Sequence, residues 1–95
     1  MYSLEFKVSV KKDFKRISKS DTLFIKNSLL TFVENFSKDY EQKLLQSGKI
    51  KKLVGQKETL YRLKLRRYRV IYKKENNRLV ILVLTISTRE GAYKH

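Results

Sequence analysis

The sequence predicts a small α+β domain: an N-terminal strand, two or three helices on one face, and a mostly antiparallel sheet of four to five strands. Three observations predict it. Apolar residues alternate with polar ones at the start of the chain, recur at helical spacing through its first half, and return to strict alternation in the second half. The 95 residues are enough for one core and no more, so residues 1–95 are read as a single domain. Proline, low-complexity stretches and repeats of fixed spacing are all absent, which leaves no linker to divide the chain.

Tyr2, Leu4, Phe6 and Val8 alternate with Ser3, Glu5 and Lys7, predicting a half-buried strand over residues 2–8. Ser9 is then placed to cap a short helix whose Val10, Phe14 and Ile17 share one face. The opposite face carries Lys11, Lys12, Lys15 and Arg16 and reads as a solvated surface. Ser18 to Asp21 marks a break and a new cap, after which Ile25, Leu29, Phe32, Val33 and Phe36 predict a second helix. Tyr40, Leu44 and Leu45 support a third, short helix ending on Gly48 as its C-cap.

A short strand is expected over residues 50–54, followed by a turn around Gly55. In the strand over residues 60–66, Tyr61, Leu63 and Leu65 oppose Arg62, Lys64 and Arg66. The next strand sets Tyr68, Val70 and Tyr72 against Arg69, Ile71 and Lys73, so the three tyrosines are read as core aromatics. Asn76-Asn77 predicts a hairpin turn on the ground that asparagine tolerates positive φ, and residues 79–86 are apolar on both faces, as suits a central strand.

Charge narrows the function classes. Lys and Arg number 23 against 9 Asp and Glu, a formal net charge of +14, while 41% of the residues are hydrophobic. A chain with that apolar content folds, and its charge argues for an anionic partner: nucleic acid, an acidic protein or an anionic surface. No cysteine and a single histidine at position 95 exclude a disulfide framework, zinc fingers and thiol catalysis, so no metal or cofactor is expected. The N-terminus has neither a signal-peptide pattern nor a membrane-length apolar run, which predicts a soluble, cytoplasmic protein with no membrane partner. Between Lys49 and Lys74 there are eleven cations and one carboxylate, Glu58. Like charges on neighbouring strands repel, so a sheet face on which Arg62, Lys64 and Arg66 meet Arg69 and Lys73 is expected to receive an anion, with arginines suited to bidentate phosphate contact.

These residues also carry a resemblance. Leu53-Val54-Gly55, Leu60-Tyr61-Arg62-Leu63-Lys64-Leu65, Tyr68-Arg69-Val70-Ile71-Tyr72, an apolar strand and then Arg89-Glu90-Gly91-Ala92-Tyr93-Lys94 resemble the RelE/ParE superfamily of toxins from toxin–antitoxin systems. The resemblance implies one of two activities: cleavage of messenger RNA in the ribosomal decoding site, as in the RelE branch, or poisoning of DNA gyrase, as in the ParE branch. The RelE branch is favoured here. It implies mRNA and the ribosome as targets, a cognate acidic antitoxin as partner, and a catalytic set of Arg69, Arg89, Tyr93 and Lys64 with the cationic Arg62 beside it; the basic segment 49–74 adds Arg66, Lys51, Lys52 and Lys73 as expected RNA-binding residues along with Arg62.

The chemistry asked of this set is in-line attack by a ribose 2′-OH, leaving a 2′,3′-cyclic phosphate and a 5′-hydroxyl. It needs a base, an acid and charge stabilisation at the phosphate. Tyr93 is the candidate base, since nearby cations favour a phenolate. Lys64 is the rival base. Arg69 and Arg89 would hold the phosphate, because arginine stays protonated. A set lacking a histidine pair or a metal is expected to depend on the ribosome to align the RNA. Two other readings stand beside this one: a gyrase-inhibiting toxin of the same fold, and a non-catalytic basic RNA-binding module.

Overall fold

The computed structural model describes residues 1–54 and 57–88. The elements in chain order are β1 (Ser3–Phe6), α1 (Val10–Lys15), α2 (Lys19–Glu34), α3 (Lys38–Ser47), β2 (Ile50–Leu53), β3 (Leu60–Leu65), β4 (Tyr68–Glu75) and β5 (Val80–Thr88). The strands form one sheet in the order β1-β5-β4-β3-β2. Three of its pairings are antiparallel, and β1 runs parallel to β5. The sheet therefore has five strands, and the third helix is present.

The helices bury what their periodicity offers. On α2, Ile25, Leu29, Phe32 and Val33 are buried at i, i+4, i+7 and i+8, against the face of the sheet that carries Leu63, Leu65, Val70, Tyr72, Ile81 and Val83. Each such aliphatic side chain contributes about 1.5 to 3 kcal/mol when fully withdrawn from water. Tyr61, Tyr68 and Tyr72 are all buried on this face. The Ser18 hydroxyl caps α2 through the Asp21 N–H, and Ser37 caps α3 through that of Tyr40. Gly48 closes α3 at φ 83°, the left-handed conformation a glycine C-cap supplies at no steric cost.

Several local expectations change. Ser9 has a helical backbone and makes no side-chain cap to α1. The first strand is shorter than residues 2–8, because Lys7 turns into α1 after its N–H bonds Val83 O. Arg66 does not extend β3: Leu65 pairs with Tyr68, so Arg66-Arg67 form a two-residue hairpin loop with Arg66 at φ 57°. A positive φ at the first loop position is the type II′ arrangement that usually takes glycine. In the β4–β5 hairpin the turn lies where Asn76-Asn77 predicts it, but the positive φ falls on Leu79, at 53°. The expected turn at Gly55 lies outside the described residues.

A bulge sets the faces of β5. Ile71 pairs with Thr85 and Tyr72 with Val83, leaving Leu84 as the extra residue. The inward phase thus passes from Ile81 and Val83 to Ile86, and Thr85 and Ser87 turn outward. Unbroken alternation would have driven Thr85 and Ser87 into the core.

Candidate nucleic-acid interface

The helices cover one face of the sheet, and the expected contact residues distribute unequally on the other. Lys64 sits directly across from Arg69, which in turn faces Ser87 on β5. One row further along the strands, Lys51 faces Arg62, then Ile71, then Thr85. Residues paired in this way have Cβ atoms about 5 Å apart. The fold thus gathers Lys51, Arg62, Lys64 and Arg69 on one uncovered surface at the end of the sheet marked by the Arg66-Arg67 turn. Lys51 and Lys64 are exposed, and neither has a carboxylate within ion-pair distance among the described residues.

Arg62 is half-buried and donates from Nη2 to Gly48 O at 2.9 Å, so it also holds the C-terminal turn of α3. Lys52 pairs with Tyr61, in the register of the helix-covered face, and strand alternation separates it from Lys51. Arg66 leaves the expected surface altogether. Its guanidinium lies 3.6 Å from the ring centre of Phe24 on α2, a cation–π stack that draws it to the helix side. Lys73 does face outward, but at the opposite end of the sheet, where it bonds Glu58 Oε2 at 2.7 Å. That hydrogen bond raises its pKa above the ordinary lysine value. Arg89 and Tyr93 lie outside the described residues.

Around these positions are groups that local sequence reasoning missed. At the Arg66-Arg67 end, Tyr68 donates its hydroxyl to Asp21 Oδ2 at 2.6 Å, and Arg67 reaches the same oxygen at 3.2 Å. The Tyr68 hydrogen bond, then the Arg67 and Arg66 charges, hold Asp21 below the ordinary aspartate pKa against the opposing effect of burial. This ties the N-terminus of α2 to the first residue of β4, beside Arg69. At the other end, Glu41 of α3 is buried and accepts from Lys74 at 2.8 Å and from the Tyr72 hydroxyl at 3.2 Å. Burial, then the charge of Glu41, push the Tyr72 hydroxyl far above its ordinary pKa, so it serves as a neutral donor. Arg78 bonds both Glu5 and Glu75 at 2.8 Å. Residues 13 and 86 also meet, since Asp13 Oδ2 accepts the Ile86 N–H at 3.0 Å.

The arrangement presents guanidinium and ammonium groups in a row on a rigid sheet, a surface suited to a chain of phosphates. Among the described residues no group of three or more His, Cys, Asp or Glu side chains is placed to hold a metal ion. No helix among them is long and apolar enough to cross a membrane.

Comparison with solved structures finds the same fold. The chain is similar to one in the archaeal RelE–RelB complex from Pyrococcus horikoshii, with 25% identity and a TM-score of 0.67 over 93% of this chain and 94% of that one. It is similar to one in the intact E. coli RelBE toxin–antitoxin complex, at 21% identity and a TM-score of 0.65, over 93% and 96%. The isolated E. coli RelE toxin gives 21% and 0.65, over 93% and 84%. A comparison with curated protein sequences gives no match. The family model of the ParE toxin of the type II toxin–antitoxin system parDE matches residues 4–93, nearly the whole length. This chain accordingly belongs to the ParE toxin family, within the RelE/ParE superfamily of type II toxins.

Proposed function

We propose that the chain is a ribosome-dependent mRNA endoribonuclease that stops translation and is neutralised by an acidic antitoxin. The observation that carries this reading is the cross-strand pair Lys64–Arg69 on the uncovered face of the sheet. Two neighbouring cations on one solvent-facing row offer an RNA phosphate an ammonium and a guanidinium at once. Arg69 stabilises charge on the scissile phosphate, and Lys64 stands one strand away as a candidate base beside the alternative, Tyr93. Arg89 is the second phosphate ligand of the proposed set. The 2′-oxygen attacks phosphorus, its proton passes to the base, and the 5′-oxygen leaves with a proton from a general acid supplied in the ribosomal complex. A net charge of +14 supports an acidic antitoxin, as do the similar RelE chains solved in complexes with RelB.

The second reading is gyrase inhibition, favoured by the match to the ParE family model. Induction in cells separates the two. Mapped mRNA 5′ ends should appear within translated codons, and Arg69→Ala should lower cutting by about 100- to 1000-fold while leaving the melting temperature near wild type. Uncut mRNA with accumulating gyrase-linked DNA breaks would replace the nuclease reading with the gyrase one.

A further inference from the structure

β1 stops at Phe6, opposite Val83, so among the described residues the edge of β5 beyond that point has no neighbouring strand. The end of α1 stands beside it. Asp13 accepts the Ile86 N–H there, doing for one edge amide what a strand carbonyl would do. Between helix and strand is a cavity of about 390 Å³ whose wall includes Asp13, Arg16, Ile17, Thr85, Ile86 and Ser87. Ser87 is the cross-strand partner of Arg69, so the cavity begins one strand spacing from the proposed scissile-phosphate ligand. The bulge at Leu84 is what turns the Thr85 and Ser87 hydroxyls to this surface.

We infer that this cavity is a nucleotide subsite, holding the RNA residue next to the one whose phosphate meets Arg69. The inference rests on the RNA-directed reading above and extends it to a residue, Arg16, that the sequence assigns only to a solvated helix face. The lining is mixed in the way a nucleotide requires. Arg16 is exposed, has five N–H donors and no acceptor, and has no carboxylate within 4 Å among the described residues, which suits a phosphate. Thr85 and Ser87 each donate and accept, which suits a ribose hydroxyl or a base edge. The second oxygen of Asp13 is an acceptor for a base amino group, and Ile17 gives an apolar contact. A carboxylate in the same wall as the guanidinium disfavours a bare inorganic anion, while the row of polar groups disfavours an apolar peptide. Across the sheet, Lys64, Arg69, Ser87 and Arg16 then form one track at right angles to the strands.

The test combines cleavage on programmed ribosomes with NMR titration of the folded protein by a single-stranded RNA trinucleotide. Arg16→Gln should raise KM about tenfold with kcat within about threefold of wild type, and Ser87→Ala should weaken the preference for one nucleotide beside the cut. The trinucleotide should shift amides of residues 13–17 and 85–88, and Arg16→Gln should abolish those shifts. Wild-type cleavage that Arg16→Gln and Ser87→Ala leave unchanged in KM and in flanking preference overturns the subsite and spares the nuclease. Shifts confined to β3 and β4 also overturn it. Shifts at residues 13–17 and 85–88 in a protein that cuts no mRNA keep the subsite as an RNA site and remove the nuclease reading.

Discussion

The two ends of the sheet use the same residue types in opposite ways. At the Asn76–Leu79 end the cations are spent internally: Lys73 on Glu58, Lys74 on buried Glu41, and Arg78 on Glu5 and Glu75. At the Arg66-Arg67 end, among the described residues, the ion pair of Arg67 with Asp21 holds the hairpin to α2, while Arg66 stacks on Phe24 and Lys64 stands beside Arg69. Carboxylates thus decide which lysines and arginines are structural. Cation density along the sequence does not separate the two ends; among the described residues, the placement of Glu5, Glu41, Glu58 and Glu75 does.

The contrast breaks first, and by the largest effect, at Glu41. Glu41→Ala leaves the half-sequestered Lys74 ammonium and the buried Tyr72 hydroxyl without their acceptor, and should cost about 3 kcal/mol. Thermal melting should fall by roughly 15 °C for a domain of this size. Lys64→Ala removes a charge at the other end and should stay within about 0.5 kcal/mol of wild type. Equal losses in the two variants would mean that both ends are structural.

A smaller effect concerns pH. Asp21 has a folded-state pKa below its unfolded value, so its contribution is complete above the ordinary aspartate range and is lost as pH falls through the depressed folded value. Asp21→Asn should therefore flatten the acid limb of a stability–pH profile while leaving its neutral-to-alkaline part parallel to wild type. An acid limb as steep in the variant as in the wild type would show that other carboxylates carry it.

The smallest effect lies in the two hairpins. Each places a side chain at positive φ, Arg66 at 57° and Leu79 at 53°, where glycine would relieve about 1 kcal/mol of steric cost. Leu79 is partly exposed, and Leu79→Gly should stabilise by about 0.5 kcal/mol once the added freedom of the unfolded chain is counted. At Arg66 the same change also removes the stack on Phe24, worth about 0.5 to 1 kcal/mol, so Arg66→Gly should be neutral or mildly destabilising. Urea midpoints resolve the difference, and a clear gain at Arg66 would show that the Phe24 contact contributes nothing.

What was legible in the sequence is what is periodic. The buried stripe of α2, the inward tyrosines of β3 and β4 and the Gly48 cap all follow from spacing. Arg66 misleads because it continues the alternation of β3 into a loop that carries neither glycine nor asparagine. Lys51 and Lys52 are adjacent in a basic run and alternate to opposite faces, and only their register against Arg62 and Tyr61 shows which of them faces outward. The run of residues 79–86 hides its bulge: its apolar residues leave the phase unmarked, and the polar pair Thr85 and Ser87 marks a surface only once Leu84 is taken out of register. Glu41 and Lys74 are 33 residues apart, and Asp13 and Ile86 are 73 apart, beyond the reach of any local pattern. For the candidate site, the sequence reading grouped the cations by strand, whereas the fold regroups them by end.

The parallel pairing of β1 with β5 bears on when the chain can fold as it is made. Residues 3–6 are made well before residues 80–83, their strand partner among the described residues, which also complete the sheet between β1 and β4. Until β5 leaves the exit channel, the sheet has no member joining its two parts, and contacts spanning more than seventy residues cannot form. Ser87 and the Ile86 amide belong to this late strand, as does the ladder that fixes Arg69. While residues 80–88 are still missing from the nascent chain, the sheet surface proposed above to meet RNA is therefore not yet assembled.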